Sequence, residues 1–210
     1  MLNPKQCVLY SGGAAGTEQF FGALAESWGM EEVNYSFEGH QIERTRGVRV
    51  LTSEELSLKD VSLTYVSRLM SREYTRAPLF RKVLQSICWQ VSSGDQIIVV
   101  GAIQPDGTVK GGTGWGAEFA KICNKLLYVF DQPRNDWFSW QKDKWTPLEK
   151  PVISQPRFAA TGTRFLEDNG RVAIQDLFAR SFSRCCRTLS KTKGSSGERC
   201  TAVVPASMDA

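Results

Sequence analysis

The stretch IIVV at residues 97–100 decides the fold. All four side chains are apolar and β-branched, which favours a strand over a helix. A strand without polar alternation is typical of one that is covered on both faces, as in the middle of a parallel sheet. The stretch LLYVF at residues 126–130 has the same character. We therefore predict two strands near the middle of a parallel sheet.

Strand, glycine turn and helix repeat on both sides of these strands. The run CVLY at residues 7–10 precedes a glycine turn, after which Phe20, Leu24 and Trp28 recur at the four-residue spacing of one helix face. The run FAA at residues 158–160 also precedes a glycine turn and a helix. This alternation predicts an α/β fold with a doubly wound, mainly parallel sheet and helices on both faces. Ligands bind such sheets beyond the carboxyl ends of the strands.

Three further segments complete the predicted fold. Residues 52–55 have the spacing of a capping box, and Asp60 is expected to cap a helix that reaches about Arg76. Pro78 is placed to begin a helix with a wide apolar stripe. Residues 132–157, with three tryptophans and several prolines, are predicted as a long loop over or beside the carboxyl edge of the sheet.

Charge is distributed unevenly along the chain. Of 26 basic and 22 acidic residues, five basic and two acidic ones fall in residues 184–210, which leaves the body near neutral. A protein that neutralises several phosphates of a nucleic acid needs several Lys or Arg side chains on its folded face. We therefore do not expect nucleic acid as a partner. Residues 1–189 are predicted to form one domain, and residues 190–210, rich in Ser, Thr, Lys and Gly, a disordered tail.

The cysteines and the single histidine exclude several kinds of site. The six cysteines contain no CxxC pair, and His40 is the only histidine, so an imidazole-based zinc site is excluded. We predict neither a metal nor a cofactor, and we expect a reducing, cytoplasmic location. No apolar stretch reaches the roughly 18 residues of a membrane span, so we expect no membrane partner. The sequence does not decide between a monomer and a homo-oligomer.

The strongest functional signal is the stretch KGGTGWGAE at residues 110–118. Glycines let the backbone of residues 110–114, here named the central turn, approach a ligand, and exposed amides at the following helix start favour an anion such as phosphate. Glu118 is expected one helical turn further on, beside a sugar hydroxyl or a ring atom. A tight turn with a solvated Glu118 explains the spacing equally well. The predicted ligand-binding residues are Gly111, Gly112, Thr113, Gly114 and Trp115, of which Trp115 either stacks on a base or fills the core.

A second glycine-rich segment, SGGAAGT at residues 11–17, follows the first strand and is named the first turn. It lacks the Gly-Lys-Ser/Thr ending of a Walker loop, and it is not the dinucleotide pattern GxGxxG. Its amides and hydroxyl groups could share the ligand of the central turn. The alternative is a helix cap in which Thr17 supplies the side chain. The residues predicted to bind the ligand are Ser11, Gly12, Gly13, Gly16 and Thr17.

Four other residues are candidates for the same site. Thr163 and Arg164 belong to a third glycine turn, residues 161–164, in which the guanidinium either holds a phosphate or carboxylate bidentately or is solvated at a helix start. His40 is a candidate catalytic acid or base, although a lone histidine is more often structural. Asp131 ends an apolar strand, where its carboxylate either binds ribose hydroxyls or belongs to an ordinary turn.

The glycine turns resemble those of a known superfamily. GGTGWGAE at residues 111–118 resembles the GGxGTxxE motif of the lysine-decarboxylase-like "Lonely guy" nucleotide phosphoribohydrolases, within the SLOG superfamily, which includes DprA-like and molybdenum-cofactor carrier-like proteins. SGGAAGTEQ at residues 11–19 is similar to the first glycine turn of the carrier branch. With FAATGTR at residues 158–164, the resemblance extends over most of the chain from residue 7 to residue 182.

This resemblance implies a Rossmann-like fold in which Gly111, Gly112 and Gly114 approach a phosphate. It also implies that Glu118 works at the ribose and the N-glycosidic bond. Two departures bear on the enzyme: Trp115 stands where the hydrolases have threonine, and position 110 is lysine where they have proline. Their partner arginine motif is not located in this sequence.

Two functions follow from these residues. The first is a sensing or carrier module that binds a nucleotide or a nucleotide-derived ligand without converting it. The alternative is hydrolysis of the N-glycosidic bond of a nucleoside 5′-monophosphate, with Glu118 at the ribose. Binding is favoured, because the enzyme needs specific residues that are partly missing. A third, weaker hypothesis has residues 184–199 engage an acidic partner or nucleic acid.

Overall fold

A computed structural model describes residues 2–74 and 76–183, whose helices and strands alternate along most of the chain. The predicted disordered tail, residues 190–210, lies outside these residues. The strands are β1 (Val8–Ser11), β2 (Glu31–Phe37), β3 (Val48–Leu51), β4 (Gln96–Gly101), β5 (Leu126–Asp131), β6 (Asp136–Gln141), β7 (Lys144–Pro147) and β8 (Arg157–Gly162). The helices are α1 (Thr17–Ser27), α2 (Ser53–Ser57), α3 (Asp60–Leu69), α4 (Pro78–Ser93), α5 (Gly112–Ile122) and α6 (Asp168–Phe182), and Pro4–Gln6 form a 3₁₀ turn.

The eight strands form one sheet in the order β3-β2-β1-β8-β4-β5-β6-β7. The six strands from β3 to β5 are parallel to their neighbours, whereas β6 and β7 pair antiparallel at one edge. The last strand of the described residues, β8, is inserted between β1 and β4, so the winding direction reverses around it. The predicted α/β fold with a doubly wound, mainly parallel, Rossmann-like sheet is confirmed.

Alternating side chains of β4 enter two hydrophobic cores on opposite faces of the sheet. Ile98 and Val100 pack with α1 and α6, whereas Ile97 and Val99 pack with α3, α4 and α5. All six residues of β4 are buried. Burial of each of these four side chains contributes about 1.5–3 kcal/mol of hydrophobic stabilisation, which explains why residues 97–100 are apolar on both faces of the strand.

The prediction of a long loop over residues 132–157 is wrong for its first half, which forms the antiparallel hairpin β6–β7. Lys142 and Asp143 connect the strands, and both have positive φ, 49° and 57°. Such a two-residue turn matches the twist of a hairpin, but it is usually built from Asn and Gly. The sequence therefore lacked the usual hairpin signal. Trp140 and Trp145 face each other across the hairpin, with ring centroids 5.0 Å apart.

Other element boundaries are closer to prediction. The capping box is present, with Thr52 and Glu55 each accepting the other's backbone N–H. The helix that begins at Asp60 ends at Leu69 instead of near Arg76, since Ser71 adopts a φ of 50°, outside the helical region. None of the helices in the described part of the chain is long and apolar enough to cross a membrane.

Gly114 allows the close packing that positions α5. A Cβ at Gly114 would clash with the carbonyl oxygen of Val109, whereas a Cβ at Gly112 would lie 3.6 Å from the Phe80 ring, an ordinary contact. We expect Gly114→Ala to destabilise the fold by about 1–3 kcal/mol, despite the better helix propensity of alanine. Thermal unfolding would show a midpoint lower by at least about 2 °C. Gly112→Ala is the matched control, and an equal effect of both variants would contradict the packing argument.

Candidate functional site

A cavity of about 510 Å³ lies at the carboxyl ends of β1, β8, β4 and β5. Its volume is in the range of about 300–1,000 Å³ that small-molecule sites occupy. The cavity lies where the winding of the sheet reverses, the usual ligand position in doubly wound folds. It is lined by Ala14, Ala15 and Glu18 from the first turn and α1, by Lys110, Gly111, Gly112 and Thr113 from the central turn, by Thr161, Gly162, Thr163 and Arg164 from the third turn, and by residues of α4 and of the segments after β2, β5 and β8.

The first and third turns are in direct contact. The backbone N–H and the hydroxyl of Thr17 both donate to the carbonyl oxygen of Thr163, at 3.2 and 2.8 Å. Gly16 has a φ of 83°, and a Cβ there would clash with the backbone of Arg164. The Thr17 hydroxyl therefore joins the two turns and does not cap α1, whose N-cap is Gly16 without a side-chain hydrogen bond.

A buried carboxylate, Glu18, fills the amino end of α1. It accepts hydrogen bonds from the backbone N–H of Ala14 at 3.1 Å and from the hydroxyl of Thr161 at 2.8 Å. Burial raises the pKa of Glu18. Hydrogen bonds from Thr161, Ala14 and Gly12 act in the opposite direction but offset only part of this increase. The first amides of α1 are also engaged, because Thr17 donates to the carbonyl oxygen of Thr163 and Gln19 donates to that of Ala14. The start of α1 therefore offers few free donors to an external anion.

The amino end of α5 has no such internal carboxylate. The N–H groups of Gly112 and Thr113 donate no hydrogen bond to any other described residue. Helix starts leave such donors for solvent or ligands. Lys110 and Arg164 also line the cavity. The central turn thus offers free donors and nearby positive charge for an anion.

His40 lies at the cavity wall contributed by the segment after β2. Its ring stacks on Phe37, with centroids 4.4 Å apart, and its Nδ1 is 3.2 Å from the hydroxyl of Ser36. Burial lowers the pKa of His40 below its usual value of 6.5, so the imidazole is neutral at pH 7. A neutral imidazole at a cavity wall can accept or relay a proton.

Three predicted residues of the central turn and of α5 do not line the cavity. Glu118 forms a mostly buried ion pair with Lys121, at 2.6 Å. Trp115 is in the core beside Tyr74, 5.9 Å away between ring centroids, and thus fills the core instead of offering a face to a ligand. Gly114 faces the backbone of the preceding loop.

The remaining predicted residues do not line the cavity and instead pack next to it. Ser11 is fully buried at the end of β1, and the carbonyl oxygen of Gly13 accepts hydrogen bonds from the backbone of residues 43 and 44. Gly12 packs against Gln90 and Glu18, since a Cβ there would lie 2.5 Å from the Gln90 amide nitrogen. Asp131 is buried and 3.2 Å from Arg134, and burial raises the pKa of its carboxyl.

Sequence reasoning missed several lining residues, among them Glu18, Phe80, Gln90 and Phe165. Glu18 follows Thr17 in the first turn of α1, so an acidic residue after a glycine turn was the signal that could have found it. Phe80 belongs to the apolar stripe predicted for α4, Gln90 is a polar residue of the same helix, and Phe165 follows the third turn. Their position at the cavity depends on how α4 and β8 pack, which no local pattern reports.

Comparison of the chain with family models, with curated proteins and with solved structures found no match. The site is therefore interpreted from its geometry. Across residues 2–74 and 76–183, no group of three or more His, Cys, Asp or Glu side chains is arranged to hold a metal ion. The groups that the cavity does offer are amides, hydroxyls, two basic side chains, two carboxyl groups and an imidazole.

Glu18 is expected to make the stability of the fold depend on pH. Because its pKa is higher in the folded than in the unfolded state, its contribution is complete below about pH 4.5 and is lost as pH rises through the folded-state pKa. Between about pH 4.5 and pH 8, the wild type should therefore lose stability relative to Glu18→Gln. Urea unfolding of both proteins at each pH measures this difference. A constant difference between them at both pH values would contradict it.

Proposed function

We propose that the cavity binds a nucleotide or a nucleotide-derived ligand and that the chain acts as a sensing or carrier module. The observation that carries the proposal is the convergence of all three glycine turns on one cavity at the carboxyl ends of the strands. These turns are distant in sequence, and each follows a strand of the same sheet. The resemblance of their sequences to nucleotide-binding turns agrees with this use.

The central turn is the proposed phosphate subsite. At the first turn, the carboxyl group of Glu18 already accepts the amide of Ala14, and the amide of Thr17 donates to the carbonyl oxygen of Thr163. At the central turn, the amides of Gly112 and Thr113 are free, and Lys110 supplies a positive charge. Arg164 adds a second cation from the third turn, in a position suited to a phosphate or a ribose hydroxyl.

Gly112→Asp is expected to weaken binding of a nucleoside 5′-monophosphate by at least about 100-fold, because the new carboxylate would face the phosphate. An acidic residue at a helix start also favours the helix, so the variant should stay folded. A thermal-shift screen of nucleoside 5′-monophosphates identifies the ligand of the wild type, and calorimetric titration then compares the variants.

Gly112→Ala is the matched control, since its side chain meets the Phe80 ring and Leu84 only at ordinary contact distances. It should bind the ligand within about 3-fold of the wild type, because it adds a methyl group without charge. If Gly112→Asp binds as tightly as Gly112→Ala, the phosphate subsite is not at the central turn.

A second candidate function is hydrolysis of an N-glycosidic bond. It is favoured by one observation: Glu18, a carboxyl with a raised pKa, and His40, a neutral imidazole, line the same cavity. A carboxyl whose pKa is raised stays protonated to higher pH than an ordinary carboxyl and can act as a general acid. In this version of the enzyme, Glu18 takes the part that the resemblance gives to Glu118, which is paired with Lys121.

Incubation of the chain with a panel of nucleoside 5′-monophosphates, followed by chromatography of the free bases, separates the two functions. The binding module releases no base and leaves the ligand intact. If base is released, Glu18→Gln should lower the rate by about 10²–10⁴-fold, the usual contribution of a general acid or base. Glu118→Gln is the matched control, and a larger loss in that variant would return the catalytic role to Glu118.

We also propose a reducing, cytoplasmic location. Among the described residues, Cys7, Cys88 and Cys123 are free thiols, and Cys123 is exposed. Exposed free thiols persist in compartments that keep cysteine reduced.

A further inference from the structure

We propose that Phe80 and Phe165 form an aromatic clamp that holds a planar heteroaromatic ring of the ligand. This inference rests on the proposed function and specifies its ligand: a phosphate ester that carries such a ring, as nucleotides and flavin mononucleotide do, instead of a simple sugar phosphate. Both side chains line the cavity that contains the central turn.

The exposure of these two rings is unusual within this fold. Three aromatic side chains are exposed in the described part of the chain: Tyr65, Phe80 and Phe165, with 53%, 43% and 76% of their surface accessible. Two of the three are at the cavity. Exposed apolar surface that gathers at a concave site is typical of ligand binding.

The backbone that carries Phe165 is held in place although its ring is exposed. Its N–H donates to the hydroxyl of Thr163 at 3.0 Å, and its carbonyl oxygen accepts from the amide of Gln132 at 3.2 Å. Gln132 also accepts the backbone N–H of Glu167 at 2.9 Å. The ring thus projects from a braced segment, so stacking on it requires little ordering of the chain.

Phe80 belongs to a helix on the other face of the sheet. It is the third residue of α4, which packs on the face opposite α6, the helix that follows Phe165. A Cβ at Gly112 would lie 3.6 Å from the Phe80 ring, so the ring is next to the proposed phosphate subsite. A ring attached to a phosphate at Gly112 therefore enters the space that both phenylalanines border.

Stacking between two phenyl rings favours any flat heteroaromatic ring, whatever polar groups the ring carries, because every such ring has a π face. A ribose phosphate without a base has no such face. The clamp therefore predicts that the ring, and not the sugar, separates tight ligands from weak ones. The phosphate is held by the amides of Gly112 and Thr113, and neither phenylalanine side chain carries a hydrogen-bond donor for it.

The test titrates the full chain with AMP, GMP, CMP, UMP, flavin mononucleotide and ribose 5-phosphate. At least one ring-bearing probe should bind the wild type about 5-fold or more tightly than ribose 5-phosphate, as expected for base stacking. Phe80→Ala and Phe165→Ala should each weaken that probe by about 5-fold or more and leave ribose 5-phosphate within about 2-fold. Tyr65→Ala, which removes an exposed ring on α3, is the matched control and should change neither affinity.

The outcomes separate the clamp from the proposed function. If ribose 5-phosphate binds as tightly as every ring-bearing probe, and Gly112→Asp still abolishes binding, the clamp is wrong and the phosphate site stands. Loss of affinity in only one of the two phenylalanine variants replaces the clamp with a single stacking ring and overturns the proposal as stated. If no probe binds the wild type, the proposed function fails and the clamp fails with it.

Discussion

The two hydrogen bonds from Thr17 to the carbonyl oxygen of Thr163 are the interaction on which the cavity depends. They join the start of α1 to the third turn, and they form only because β8 enters the sheet between β1 and β4. The approach is so close that Gly16 and Gly162 have no room for a Cβ. The insertion of β8 thus brings the first turn and the third turn together, although they are distant in sequence. The third turn then forms one side of the cavity.

Several features of the fold follow from local sequence, whereas the carboxylate at the site does not. The apolar run of β4 predicts a central strand because alternate residues such as Ile97 and Ile98 face different cores. Glu18 and Glu118 both follow a glycine turn at a helix start, so spacing alone cannot tell which one faces a ligand. The difference arises from long-range packing: Thr161 of β8 donates to Glu18, whereas Lys121 engages Glu118.

The hairpin shows the same limit of local patterns. Local sequence predicts a loop for its tryptophans, because Lys142 and Asp143 carry no standard turn signal. The positive φ at these two residues is stabilised by the strand pairing on either side. The glycine turns were found because glycine marks backbone geometry directly. Prediction succeeded where one residue type determines the conformation, and it failed where partners distant in sequence determine it.

Glu118 gains a structural role from this packing. Its partner Lys121 lies over the ring of Trp140, 3.8 Å from the centroid, and donates to the carbonyl oxygen of Gly107 at 3.3 Å. The hairpin therefore contacts α5 more than one turn beyond the residues that face the cavity. Trp145 also donates to the Gly107 carbonyl oxygen, at 2.7 Å, and so ties the hairpin to the loop before the central turn. A helix braced at its far end holds its free amides in one orientation, and preorganised donors bind an anion without the cost of ordering them.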